Sequence, residues 1–97
     1  MVRAFVLINT ELGMEDSVAD ALKKIDGIKE VYKSSGVYDI IAKVEAHTLE
    51  RFKEIVNRKL RNSKEIKSTI TMMVAADGAT NARVVAREKI NAEGFLK

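Results

Sequence analysis

Two strand-like runs stand back to back in the middle of the chain. They are Ile28-Lys29-Glu30-Val31-Tyr32-Lys33-Ser34-Ser35 and Ile40-Ile41-Ala42-Lys43-Val44, joined through Gly36-Val37-Tyr38-Asp39. A glycine between two strands is turn chemistry, because it takes φ > 0 without steric cost. The centre of the chain is therefore a β-hairpin, and whatever flanks it must pack onto a sheet. Asp39 heads an otherwise apolar strand, where a carboxylate is costly without a partner. An N–H of the hairpin, a neighbouring cation or the ammonium of a small zwitterion held beside exposed turn backbone would each serve.

Strand–helix patterns surround the hairpin on both sides. In residues 2–9, Val2, Ala4, Val6 and Ile8 share one face and Arg3, Phe5, Leu7 and Asn9 the other; large apolar groups on both faces mark a strand covered twice. Gly13 opens a helix with Glu15 and Asp16 in its first turn, an apolar stripe of Met14, Val18, Ala21, Leu22 and Ile25, and a stop at Gly27. The third strand runs from Tyr38 to Ala46. Thr48 is the N-cap of a second helix with a Leu49, Phe52, Val56 and Leu60 stripe. In the fourth strand, residues 66–75, strict alternation sets Ile66, Ser68, Ile70, Met72 and Val74 on the core side and Lys67, Thr69, Thr71 and Met73 on the other.

The order β-α-β-β-α-β predicts an α+β, ferredoxin-like antiparallel sheet with both helices on one face. Right-handed crossovers put the first and third strands at its centre. The uncovered face then presents Phe5, Leu7, Ile41, Thr69 and Met73, an apolar patch that a monomer would leave in water. The expected outcome is a sheet-to-sheet dimer with these residues at the interface and Asp39 on the same side. Residues 1–77 are expected to form this unit, a candidate for ligand binding at the turn and for oligomerisation through the open face. Residues 78–97 are an extension whose Ala79, Ala82, Val85, Ala86 and Ile90 suggest an amphipathic helix, followed by a Phe95-Leu96 anchor.

Composition narrows the function. With 97 residues the chain makes one small domain for which association is the default. The net charge of +3 is mild and reads as a solvated surface, since a nucleic-acid footprint needs Lys and Arg gathered on one face. There is no cysteine, so disulfide and thiolate chemistry are excluded. The apolar start, Met1 to Ile8, is too short for a signal peptide, and no run is long enough to span a membrane, so the chain reads as cytoplasmic. His47 is the single histidine and lacks the second base or ligand that catalysis or a metal would require. No phosphate loop, Ser–His pairing or metal-spaced cluster appears. The residues point to no enzyme, no cofactor and no metal. Tyr38 fits the core or a site equally well, and Met73 suits an adaptable interface or pocket.

The turn, together with Leu49 and Phe52 on a helix and the run Ser68-Thr69-Ile70-Thr71-Met72-Met73-Val74, resembles the effector-binding half of the Lrp/AsnC (leucine-responsive, feast/famine) transcription regulators. The likeness covers roughly residues 1–76, a domain known as RAM. Regulators of that family carry a helix-turn-helix before it, whereas this chain starts at the first strand and so looks like a stand-alone RAM domain. The resemblance implies a dimeric α+β arrangement, with homodimers assembling into octamers or decamers. It also implies an amino-acid effector bound between subunits, with Gly36, Val37, Tyr38, Asp39, Thr71, Met72 and Met73 around it. A full-length Lrp/AsnC regulator is the implied protein partner, and no direct DNA binding is expected. Two other readings stay open: a small dimeric α+β barrel enzyme of monooxygenase or isomerase type, and a DNA-binding module using the basic tail.

Overall fold

The alternation of Val2–Thr10 produces strand β1, and its even-numbered side chains Ala4, Val6, Ile8 and Thr10 are all buried. The structure, a computed structural model, describes residues 1–60, 62–77 and 81–90, with side chains for residues 1–60 and 62–74. From β1 the chain turns at Gly13 (φ +84°) into helix α1, Glu15–Lys23, which buries Val18, Ala19 and Leu22. Strand β2 spans Ile28–Lys33 and β3 Ile40–Ala46.

Thr48 caps helix α2, Leu49–Glu54, where its Oγ1 accepts from the Arg51 N–H at 3.1 Å. From Ile55 to Leu60 the same helix widens to π-helical winding and buries Ile55, Val56 and Leu60. Such winding is rare and recurs at functional positions. Strand β4 follows at Ile66–Asp77 and β5 at Asn81–Ile90.

The sheet is antiparallel with the order β2-β3-β1-β4-β5. The first and third strands are central, as the crossover rule predicts. The core lies between the helices and one face of the sheet, where Val6, Ile8, Ile40, Ala42, Val44, Ile55 and Leu60 are wholly inaccessible to water.

The structure corrects two expectations. Residues 81–90 are a strand and not a helix. Strand β4 leaves an open edge after pairing with β1, and β5 fills it with ten register pairs, from Ser68 opposite Ile90 to Asp77 opposite Asn81. The tail's helical spacing is weak beside that array of backbone hydrogen bonds, and its adjacent Val84 and Val85 favour extended chain. The Phe95-Leu96 anchor lies outside the described residues.

The second correction concerns β4. Thr10 pairs with Ile66 but Asn9 pairs with Ser68, so Lys67 is an extra residue in the strand. This bulge inverts the parity of everything after it. Thr69, Thr71 and Met73 lie opposite Ile8, Val6 and Ala4 on the helix side, while Ile70, Met72 and Val74 lie opposite Leu7, Phe5 and Arg3 on the open side. Thr69 and Met73 therefore leave the predicted interface, and Met72 joins it.

Candidate functional site

The hairpin turn is held by three short-range contacts. The Ser34 N–H donates to the Asp39 carbonyl at 2.8 Å, closing the loop. The Gly36 N–H donates to Ser34 Oγ at 3.1 Å. The Asp39 N–H donates to the Ile8 carbonyl at 2.9 Å, continuing the β3–β1 ladder past its last strand pair. Val37 at the tip is 84% exposed, and Tyr38 and Asp39 are half-buried.

Gly36 departs from the turn-glycine expectation. Its φ lies outside the left-handed region, and a Cβ built there would meet only Ser34 Oγ, at 3.6 Å, an ordinary contact. Nothing in the fold demands glycine at this position. What glycine does supply is a turn without a side chain at this exposed position, three residues before Asp39.

That carboxylate has a structural partner, of the N–H kind considered above, but on β1. Asp39 Oδ2 accepts from the Thr10 N–H at 2.8 Å and from Thr10 Oγ1 at 3.3 Å. The end of β1 is thereby tied to the head of β3. Oδ1 takes no hydrogen bond from a described residue, so half of the carboxylate's accepting capacity is unused.

The last-strand candidates do not converge on one face. Thr71 is buried on the helix side and Met73 packs partly against the core there, whereas Met72 is on the open side. Ile8 is paired with Ile40 on one side and with Thr69 on the other, so β1 separates the turn from β4. Two strand spacings amount to about 10 Å, and Thr71 lies about 7 Å further along. The Oγ1 atoms of Thr69 and Thr71 are buried without a hydrogen-bond partner among the described residues.

The open face is apolar toward β4 and charged toward β2. Phe5, 40% exposed, Leu7 and Ile41 stand there as expected, joined by Ile70, Met72, Val74 and Tyr32. Sequence reasoning missed these last four; Lys67 falls in step with the alternation of β4 and gave no sign of the bulge. Arg3, Glu45, Lys43 and Glu30 form a row of alternating sign, with gaps of 3.4, 3.7 and 3.6 Å. The Tyr32 hydroxyl donates to Glu30, which holds the Glu30 carboxyl below its ordinary range and raises the Tyr32 phenol. His47 is exposed, and the described residues contain no group of His, Asp and Glu arranged to hold a metal.

Comparison with known proteins places this geometry. Residues 3–78 match the model of the Lrp/AsnC ligand binding domain. An uncharacterized HTH-type transcriptional regulator of Pyrococcus furiosus, PF0250, is 40% identical over 73 residues, which cover 72% of this chain and 49% of that one. Homocitrate synthase of Saccharolobus solfataricus is 40% identical over 58 residues, covering 60% of this chain and 12% of the enzyme. The chain thus spans about half, or far less, of these relatives. Among solved structures, FFRP-DM1 superposes with a TM-score of 0.75 at 39% identity, over 77% of this chain and all of that one. Escherichia coli AsnC does so with a TM-score of 0.72 at 25% identity, over 82% of this chain and 54% of that one. With the family model matched over residues 3–78, most of its length, the chain belongs to the Lrp/AsnC ligand-binding domain family.

Proposed function

We propose that the chain is a cytoplasmic amino-acid-sensing module that self-associates through its open sheet face and serves transcription regulation or amino-acid metabolism. The observation that carries this reading is the pairing of Gly36 with Asp39. A glycine that the fold does not need leaves the turn open; its own N–H is taken by Ser34 Oγ, but the N–H groups of Val37 and Tyr38 bond to no described residue, and the Asp39 carboxylate keeps Oδ1 uncommitted. Together they suit the two ends of an α-amino acid, with the ammonium on Asp39 and the carboxylate on the turn backbone. Tyr38 and Val37 flank the position where a side chain would project. A match to 12% of homocitrate synthase as well as to an HTH-type regulator supports a ligand-responsive unit attached to different outputs.

Phe5, Leu7, Ile41, Ile70 and Met72 would meet their equivalents in a second copy, and further assembly to octamers or decamers would close an effector site between dimers. Effector affinity that differs between assembly states would then shift the equilibrium among them. A second partner would be a full-length regulator of the same family.

The test is calorimetry against the twenty common amino acids, with light scattering alongside. Gly36→Ala should leave stability within about 0.5 kcal/mol of the parent, because no strain or clash arises, yet weaken effector binding at least tenfold. Asp39→Asn should also weaken binding, because the charge that meets the ammonium is lost, while the fold is kept, since the neutral amide can still accept from the Thr10 N–H. Undiminished affinity in both folded variants would sink the assignment.

A further inference from the structure

The chain's small positive charge is not spread evenly. Residues 51–64 carry Arg51, Lys53, Arg58, Lys59, Arg61 and Lys64 against Glu54, a net charge of +5, so the rest of the chain sums to −2. This is the gathering of cations that interleaving along the whole sequence had concealed. Of these, Arg51 and Lys53 lie on α2 and Arg58 and Lys59 on its π-helical continuation, the side of the sheet opposite the open face.

A cleft of about 250 Å³ opens there, lined by Arg51, Glu54, Arg58, Lys59 and Asn62. Glu54 sits between two guanidinium groups. Arg51 Nη1 donates to its Oε1, and Arg58 Nη1 lies 3.5 Å from its Oε2. Arg51 Nη2 is further steadied by Asp26 at 3.8 Å. Fixing a guanidinium in place beforehand reduces the entropy lost when it grips a ligand. Lys59 forms no ion pair with a described residue, and the Arg58 side chain is 75% exposed with most of its donors unused.

Helix C-termini favour cations, and one or two basic residues here would do no more than complement the helix dipole. Arg51, Arg58 and Lys59 against Glu54 leave the cleft's own lining at a net +2, more than that need. The π-helical winding sets Arg58 and Lys59 on the same side as Arg51 and Asn62, around one cavity. Three cations and an amide donor facing a small polar hollow match a tetrahedral oxyanion, because guanidinium forks and an ammonium present convergent N–H groups to its oxygens.

We propose that this cleft binds a phosphate group. Free phosphate, the phosphate of a nucleotide and the backbone of a nucleic acid share that chemistry, and the measurement separates them. The probes are inorganic phosphate, a nucleoside monophosphate and a 20-base-pair DNA duplex, each followed by thermal unfolding and by NMR of the backbone amides, at constant ionic strength set with chloride. Phosphate at ten times its Kd should raise the midpoint by about 6 °C, with shift changes centred on residues 51–62. The pair Arg58→Gln and Lys59→Gln should abolish both effects. The pair Lys23→Gln and Lys24→Gln, which removes the same charge from α1, should preserve them. Binding seen with duplex alone, lost in the cleft variant and falling with salt at a log–log slope of about −0.9 per phosphate contacted, would assign nucleic acid as the source. Equal effects of chloride and of every probe, or equal loss in the two variant pairs, would overturn the proposal.

Discussion

Gly27 should be the most intolerant glycine among the described residues, and its cost can be separated into parts. It sits at φ +101°, between α1 and β2, where its carbonyl accepts from the Glu45 N–H at 2.8 Å. A Cβ there would lie 2.4 Å from Ile55 Cδ1 and 3.3 Å from the Glu45 carbonyl oxygen. Gly13 shares the left-handed backbone, at φ +84°, but its Cβ would meet nothing within 4 Å. Left-handed strain costs a residue with a Cβ about 1–2 kcal/mol, partly offset by the reduced freedom of the unfolded chain. Gly13→Ala should therefore lose about 0.5–1 kcal/mol. Gly27→Ala adds overpacking against Ile55, about 1–3 kcal/mol more, for a total of about 1.5–4 kcal/mol. Against a typical stability of about 5–15 kcal/mol this is large, and at about 4–8 °C per kcal/mol it lowers the midpoint by at least about 6 °C. Urea unfolding of Gly13→Ala, Gly27→Ala, Ile55→Val and the Gly27→Ala/Ile55→Val double variant isolates the overlap. Removing Cδ1 should relieve it, so the double variant should be more stable than the sum of the singles by about 1–2 kcal/mol. Additive singles, or a Gly27→Ala no worse than Gly13→Ala, would refute the steric argument.

Thr71→Val exchanges a buried hydroxyl without a partner among the described residues for a methyl of the same shape, and should stabilise by about 1 kcal/mol in urea unfolding; a loss would reveal a polar partner for Oγ1. Asp16 and Lys33 join α1 to the end of β2 at 2.6 Å, and the Lys33 hydrogen bond and charge hold the Asp16 carboxyl below its ordinary range. A lowered carboxylate contributes stability above its unfolded pKa and loses it as pH falls through the folded value. NMR titration should find the Asp16 midpoint rising in Lys33→Gln; an unchanged midpoint would rule out the pair in solution. Lys33 is raised in return by Asp16, so its contribution is full below the unfolded lysine pKa and disappears as pH climbs past the folded one.

Most of the architecture was legible because it rests on local signals that reinforce one another. Thr48 caps α2, Gly27 ends the α1 connection, and the even residues of β1 from Ala4 to Thr10 are buried, each a short-range consequence of residue type. The errors arose where a distant partner decides. No residue pattern announces the Lys67 bulge, which depends on how Thr10 and Ile66 meet across strands. Likewise, Val84-Val85 could not outvote a helical spacing until the unpaired edge of β4 was known. At the turn, the sequence identified Asp39 as needing a partner but not which one, since Thr10 lies 29 residues away. Gly36 was noticed for turn geometry it does not use.

The bulge also has an energetic meaning. Without it, Ile70, Met72 and Val74 would lie under the helices, and the hydroxyls of Thr69 and Thr71 would reach the open face. The observed parity does the reverse: two buried hydroxyls find no partner among the described residues, at about 1–3 kcal/mol each, while three apolar side chains turn outward. An isolated monomer gains nothing from that exchange. A sheet whose open face is covered by a second copy recovers it, because burying those side chains beside Phe5, Leu7 and Ile41 returns about 25 cal/mol for each Å² of apolar surface removed from water. The tie from Asp39 to Thr10 fixes the end of β1 one residue from this bulge, so the contact that would orient an effector's ammonium also braces the register on which the open face depends.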